Sequence, residues 1–117
     1  GAQLISGLNP GPYDFIITKT GLSAFSNPVL EPELRSRLVE NILVTGLMTE
    51  YGIRATAMAA MDYGFRPIVV SDGCAGITRE THGLATSDMT YGMMKVRNTG
   101  ELLRYAKDLE FEDLVLV

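Results

Sequence analysis

The sequence predicts an α/β fold in which helices cover a parallel sheet. Short apolar stretches alternate with segments of helical periodicity, which is the pattern of successive βαβ units. The most informative stretch is 41–65, NILVTGLMTEYGIRATAMAAMDYGF, which is organised as a strand, a tight turn and a helix. Because crossover connections between parallel strands are right-handed, these elements are expected to form one sheet with its helices packed on the faces.

Within this stretch, Asn41–Thr45 is expected to be a buried strand that Gly46 ends. Thr49 is expected to cap the next helix, since a threonine hydroxyl accepts from a free backbone N–H. Gly64 is expected to end that helix in the left-handed conformation. The helix has one narrow apolar face of mostly small side chains, formed by Ile53, Ala57, Ala60, Met61 and Gly64. Its N-terminus follows the carboxyl end of a strand, where α/β sheets bind ligands and anions.

The remaining elements are predicted from the same periodicities. Apolar runs indicate strands at Asp14–Thr18, Arg66–Ser71 and Met93–Arg97, so that four strands are expected in all. Helices are predicted from the spacing of Leu30, Leu34 and Leu38, and across 78–91. A last helix is expected to be capped by Thr99, with an apolar face of Leu102, Leu103, Ala106 and Leu109. Small residues in 72–76 indicate a turn, and the tail 111–117 is interpreted as a final strand or a packed arm.

Composition is that of one globular domain, with 117 residues, 46% hydrophobic and 21% charged. The net charge of −4 argues against a nucleic-acid surface. Apolar runs fall short of the roughly 20 residues that span a membrane, and the N-terminus lacks the features of a signal peptide. The single Cys74 excludes an internal disulfide and favours a reducing, cytoplasmic compartment.

Three side chains are candidates for chemistry on general grounds. Cys74 follows a predicted strand, but its neighbours supply no base and Asp72 would raise the pKa of its thiol, so a packing role is favoured. His82 has no second ligand at metal spacing, and a structural hydrogen bond is expected of it. Lys19 is either a solvated strand end or a functional cation. The glycines form no dinucleotide-binding or P-loop pattern, so no cofactor and no metal are predicted.

Two blocks of sequence carry a resemblance to a known family. The first is KTGLSAF, residues 19–25, with the pattern K-x-x-x-S-A-F. The second is VTGLMTEYGIRATAMAAMDYGFRPIVVSDGCAG, residues 44–76, which begins with the pattern V-T-G-x-x-T. In this order and spacing the blocks resemble isochorismatase-like cysteine hydrolases, and most closely their amidase branch of N-carbamoylsarcosine and maleamate amidohydrolases. The resemblance runs from about Gly1 to Ala106 and implies a three-layer, Rossmann-like α/β/α fold.

The resemblance implies a Cys–Lys–Asp triad and an oxyanion hole. Lys19 matches the lysine, and Gly52 matches the position of the nucleophilic cysteine. The backbone N–H groups of Met48 and Gly52 match the oxyanion donors, with a cis peptide bond expected between Leu47 and Met48. An ammonium beside a thiol lowers its pKa and so supplies the thiolate that attacks.

The chain departs from the family pattern in two ways. Gly52 has no side chain that could act as a nucleophile, and the stretch that would carry the aspartate is missing. The family strand order resembles 3-2-1-4-5-6, and the first two strands have no counterpart here. Asp14–Thr18 would then be separated from Asn41–Thr45 by a gap of roughly 14 Å. We therefore expect a C-terminal portion of the family domain, spanning 1–117.

These observations predict a hydrolase of small amide or carbamoyl C–N bonds, impaired at Gly52. The alternative is an inactive family member that serves as a small-ligand-binding or interaction module. A flavodoxin-like nucleotide binder is the weakest of the three hypotheses. The expected partners are a small-molecule substrate and further copies of the chain in a homo-oligomer, with no nucleic acid and no membrane.

Overall fold

The computed structural model describes residue 4, residues 6–92 and residues 94–105 of the chain. Following a short 3₁₀ turn at Ala24–Ser26, the elements are α1 (Leu30–Ser36), β1 (Asn41–Leu47), a π-helical turn (Thr49–Ile53), α2 (Arg54–Asp62), β2 (Arg66–Ala75), α3 (Arg79–Tyr91), β3 (Lys95–Arg97) and α4 (Thr99–Tyr105). Within the described residues, no helix is both long and apolar enough to cross a membrane.

The sheet has the order β1-β2-β3, and both pairs of neighbouring strands are parallel. Asn41 is opposite Arg66, and the register shifts at a bulge between Val44 and Gly46. Helix α2 packs against β1 and β2, and α3 packs against β2 and β3. The α/β class and the parallel sheet predicted from the sequence are therefore confirmed, with three strands in the described part of the chain.

The predicted strand Asp14–Thr18 is wrong: this segment forms no strand. Phe15 and Ile16 are 40% and 62% exposed instead of buried. The segment is held at its ends, where Arg37 Nη1 donates to the carbonyl of Tyr13 at 2.8 Å and Asn27 Nδ2 donates to that of Thr18 at 2.8 Å. A strand needs a neighbouring backbone to pair with, and no strand of the described sheet lies beside this segment.

Two strands continue beyond the ends predicted for them. β1 passes through Gly46 to Leu47, and Gly46 has a φ of 128° that suits the bulge. β2 continues to Ala75, through most of the predicted turn 72–76, because its end pairs with residues 46–47 beyond the bulge. β3 begins at Lys95, while Met93, Ala106, Leu109 and the tail 111–117 lie outside the described residues.

Two predicted helix caps are corrected. The residue before the π-helical turn is Met48, and Thr49 lies inside that turn. Before α4 the cap is Asn98, whose Oδ1 accepts from the N–H of Glu101 at 2.8 Å. Thr99 is the first helical residue there. The helix predicted across 78–91 is present as α3, and Thr78 caps it.

The core lies between the sheet and the helices, with Ile42, Val44 and Val69 at 0–1% exposure on the strands. The predicted apolar face of α2 is only partly right. Ile53, Ala57 and Ala60 are buried, but Met61 and Gly64 are exposed. Gly64 has a φ of 88°, the left-handed conformation predicted for it. Elsewhere, Leu30 and Leu34 of α1 are buried, but Leu38 lies past the helix end and is 84% exposed.

Candidate functional site

The structure brings Lys19 and Gly52 together, although 33 positions separate them in the sequence. A Cβ atom built on Gly52 would lie 3.1 Å from Lys19 Nζ, 3.1 Å from the Leu47 carbonyl oxygen and 3.4 Å from that of Leu22. Lys19 Nζ itself donates to the Leu22 carbonyl at 2.9 Å. A side chain at position 52 would therefore begin in close contact with the lysine ammonium.

The loop that carries Lys19 is fixed by two sets of hydrogen bonds. Ser26 Oγ accepts from the N–H of Gly21 at 2.9 Å and from that of Thr20 at 3.2 Å. The N–H of Ala24 donates to Thr56 Oγ1 at 2.9 Å, and Thr56 is completely buried in α2. This last bond ties the loop to the helix that follows Gly52. Sequence reasoning missed Thr56, although a polar residue beside the apolar face of a predicted helix was a usable signal.

Position 52 lies in the π-helical turn between β1 and α2. The Met48 carbonyl accepts from the N–H of Tyr51 at 3.0 Å and from that of Ile53 at 3.2 Å, which closes the turn. The peptide bond between Leu47 and Met48 is cis. N–H groups in the first turn of a helix have no intrahelical acceptor and attract anions and carbonyl oxygens. Gly52 is buried, but Met48 is partly exposed, so the turn borders solvent.

Helix α3 holds this turn from the other side. Thr49 Oγ1 and His82 Nδ1 are 2.7 Å apart, and Thr49 is completely buried. Glu50 Oε1 accepts from the N–H of Ile77 at 2.8 Å, just before α3 begins. The structural hydrogen bond predicted for His82 is therefore present. Thr49 is occupied by this contact, which explains why it does not cap the helix.

Cys74 lies in β2, opposite Gly46 of β1. Its thiol is within 3.6 Å of the Val44 carbonyl and is free of disulfide bonding. Burial raises the pKa of this thiol, and the charge of Asp72 raises it further. Both effects disfavour the thiolate, which agrees with a packing role for Cys74.

A carboxylate partner for Lys19 is absent from the described residues, because none of their ion pairs includes this lysine. Asp14, the nearest acidic residue in the sequence, accepts from the N–H of Gly11 at 2.7 Å instead. The same described residues contain no group of three or more His, Cys, Asp or Glu side chains placed to hold a metal ion. The site as described thus consists of one cation, backbone N–H groups and a glycine.

Comparison with known proteins identifies a family for this chain. A family model described as the isochorismatase domain matches residues 1–101. N-carbamoylsarcosine amidase of an Arthrobacter species is 30% identical in an alignment over 119 residues, and this alignment covers 97% of this chain and 44% of that protein. Nicotinamidase 3 of Arabidopsis thaliana is 29% identical over 102 residues, which cover 87% of this chain and 51% of that protein.

A solved structure gives the same result. The isochorismatase family protein from Desulfovibrio vulgaris superposes with a TM-score of 0.85 and 28% identity. The match covers 92% of this chain and 56% of that one. The chain therefore spans about half the length of the curated relatives it matches.

Proposed function

The chain belongs to the isochorismatase family, and we propose that it is the C-terminal portion of a hydrolase of small amide or carbamoyl C–N bonds, with Gly52 in place of the nucleophile. The observation that carries this proposal is the short distance, 3.1 Å, between Lys19 Nζ and a Cβ atom built at position 52. A relative named as an N-carbamoylsarcosine amidase and another named as a nicotinamidase support the substrate class.

This geometry supports the proposed chemistry, which the family resemblance implies. With a cysteine at position 52, the Lys19 ammonium would stabilise the thiolate, which would add to the substrate carbonyl carbon. The carbonyl oxygen would take the electron pair and be held by the N–H groups of Met48 and Gly52. An acid would then protonate the leaving amine, and water would hydrolyse the thioester. With glycine at position 52 the first bond cannot form, so the present chain is proposed to bind such substrates without turning them over.

The test is to restore the thiol and measure its ionisation. Gly52→Cys is made in a Cys74→Ala background, so that the new thiol is the only one. Its pKa is measured from thiolate absorbance and from the alkylation rate as a function of pH. We expect a value clearly below the ordinary value of about 8.5, because Lys19 favours the anion.

The matched control is Lys19→Met, which keeps the length of the side chain and removes its charge. Adding this change should return the thiol pKa to or above its ordinary value, since burial then acts alone. A thiol pKa that does not respond to Lys19 would contradict the proposal. The Gly52→Cys chain by itself is expected to remain a poor amidase, because the described residues supply no aspartate beside Lys19 to move the proton.

A second candidate is a non-catalytic module that binds small ligands or partners, and Gly52 itself favours it. Free N–H groups beside an ammonium suit a carboxylate or an amide carbonyl. Titration with small amides and carboxylates at millimolar concentration should shift the amide NMR signals of Met48 and Gly52. The absence of any such shift would exclude both candidates at this site. A cytoplasmic homo-oligomer remains part of the proposal for either candidate.

A further inference from the structure

The π-helical turn is closed as one hydrogen-bonded unit. The Met48 carbonyl accepts from the N–H groups of Tyr51 and Ile53. These two residues flank Gly52, so the backbone at Gly52 cannot turn independently of Met48. Thr49 follows Met48 directly and is the first residue of the turn. A change in the position of Thr49 therefore changes the directions of the Met48 and Gly52 N–H groups together.

Two side chains of this turn are hydrogen-bonded to the segment that begins α3. Glu50 Oε1 accepts from the N–H of Ile77 at 2.8 Å, and this bond is exposed, so that water can replace either partner. Thr49 Oγ1 lies 2.7 Å from His82 Nδ1, and Thr49 is completely buried. A buried hydroxyl that loses its partner has no water to replace it. The contact with His82 is therefore the stronger constraint on where the turn lies.

His82 is suited to act as an anchor because its backbone is fixed within α3. Its N–H donates to the Thr78 carbonyl at 3.0 Å, and its own carbonyl accepts from Thr86 Oγ1 at 3.0 Å. Helix α3 in turn packs against β2 and β3. The backbone that carries the imidazole ring is therefore held by the sheet.

We propose that His82 is a positioning residue of the candidate site: through Thr49 it sets the directions of the Met48 and Gly52 N–H groups that receive a carbonyl or carboxylate oxygen. The identity of the ligand rests on the proposed function, whereas the positioning rests on the contacts of Thr49 and His82. Because His82 acts through Thr49, its loss should change the geometry of the N–H groups and leave the fold in place.

Two pairs of variants separate the hydrogen bond from the size of the side chains. Thr49→Val removes the hydroxyl and nearly keeps the shape of the side chain, whereas Thr49→Ser keeps the hydroxyl. His82→Leu removes the polar atom at Nδ1, whereas His82→Asn keeps a donor or an acceptor at the same number of bonds from Cα. Thr86→Val is the matched control on α3, because the Thr86 hydroxyl bonds only to carbonyls of α3 among the described residues.

The first measurement compares amide NMR spectra of His82→Leu and His82→Asn without any ligand. Both variants lose the imidazole ring and its effect on nearby signals, so the difference between them reports the hydrogen bond to Thr49. The Met48 and Gly52 signals should shift in His82→Leu and stay close to those of His82→Asn only if the bond is irrelevant. We expect the shift, and we expect Thr86→Val to leave both signals in place.

The second measurement is the thiol pKa of Gly52→Cys in the Cys74→Ala background. Thr49→Val and His82→Leu should each raise this pKa, because N–H groups that turn away no longer stabilise the thiolate. The expected ratio of thiolate to thiol is about threefold to tenfold lower at a given pH. The conservative Thr49→Ser and His82→Asn should restore most of it. The double variant of Thr49→Val and His82→Leu should lose no more than either single variant, since both remove one contact.

Two results would overturn the proposal. One is that the Met48 and Gly52 signals of His82→Leu coincide with those of His82→Asn. The other is a thiol pKa that responds to Lys19→Met but not to Thr49→Val. A thiol pKa that responds to Thr49→Val alone would instead contradict the proposed function and support the positioning.

If the thiol pKa responds to neither change, the proposed function fails and the NMR comparison decides the positioning. If Thr49→Val does not fold, His82→Leu supplies both measurements, because His82 is only half-buried and its replacement disturbs the core less.

Discussion

Gly76→Ala should destabilise the chain, because a methyl group at this position collides with the segment that holds the π-helical turn. A Cβ atom on Gly76 would clash with Glu50 Oε2. It would also lie 3.0 Å from the backbone nitrogen of His82 and 3.1 Å from Thr81 Oγ1. The nitrogen belongs to α3 and cannot move cheaply. Glu50 would therefore have to leave the N–H of Ile77, to which it is bonded at 2.8 Å.

The magnitude can be worked from these contacts. Overpacking typically costs about 1–3 kcal/mol. Losing a hydrogen bond to a charged group costs about 1.5–3 kcal/mol. The two costs overlap, because the movement of the Glu50 side chain that relieves the clash is the same movement that breaks the bond. Replacing glycine restricts the unfolded chain and returns about 0.4–1 kcal/mol. The net expectation is a free energy of unfolding lower by about 1–3 kcal/mol, or a melting temperature lower by roughly 4–12 °C.

The assay is urea and thermal unfolding followed by circular dichroism. Gly83→Ala is the matched control, since Gly83 lies inside α3 and a Cβ atom there meets nothing within 4 Å. This control should stabilise the chain by about 0.5–1 kcal/mol, because alanine favours helix over glycine. The reasoning fails if Gly76→Ala unfolds within about 0.5 kcal/mol of the original chain, or if it is stabilising like the control.

Three further predictions concern other contacts of the described residues. Thr56→Val should lower the free energy of unfolding by about 1–3 kcal/mol, since the buried N–H of Ala24 loses its acceptor, while Thr90→Val on the exposed face of α3 should change it little. Hydrogen bonds from Thr99 lower the pKa of Asp72 below its ordinary value of 3.8. The carboxylate therefore stabilises the fold fully at pH values above 3.8, and this stabilisation is lost as the pH falls through the lower pKa of the folded state. Asp72→Asn should flatten this acid dependence of the urea midpoint. The unmodified chain should hydrolyse no small amide above the rate in buffer, and steady turnover in an amide-release assay would contradict the proposed loss of the nucleophile.

Several features follow from the sequence because they depend on neighbouring residues. The alternation of apolar runs with helical periodicity determines the α/β class, and Gly64 ends α2 in the left-handed conformation because glycine has no Cβ to oppose it. Thr78 caps α3 through its own first turn, within three residues. The family resemblance also implied that Lys19 and Gly52 lie together, and a Cβ atom built at position 52 is 3.1 Å from Lys19 Nζ.

Other features depend on contacts between distant residues, and only the tertiary structure decided them. Thr49 and Thr99 are each the first residue of a helical segment, but their hydroxyls bond to His82 and Asp72, which lie 33 and 27 positions away in the sequence. The run Asp14–Thr18 has the residues of a strand, yet it forms none, because a strand exists only beside another backbone. The local sequence pattern determines which side chains lie on which face of a helix or strand. The hydrogen-bond partner of a polar side chain, and the neighbouring strand that pairs with a backbone, come from distant parts of the chain, so only the tertiary structure determines them.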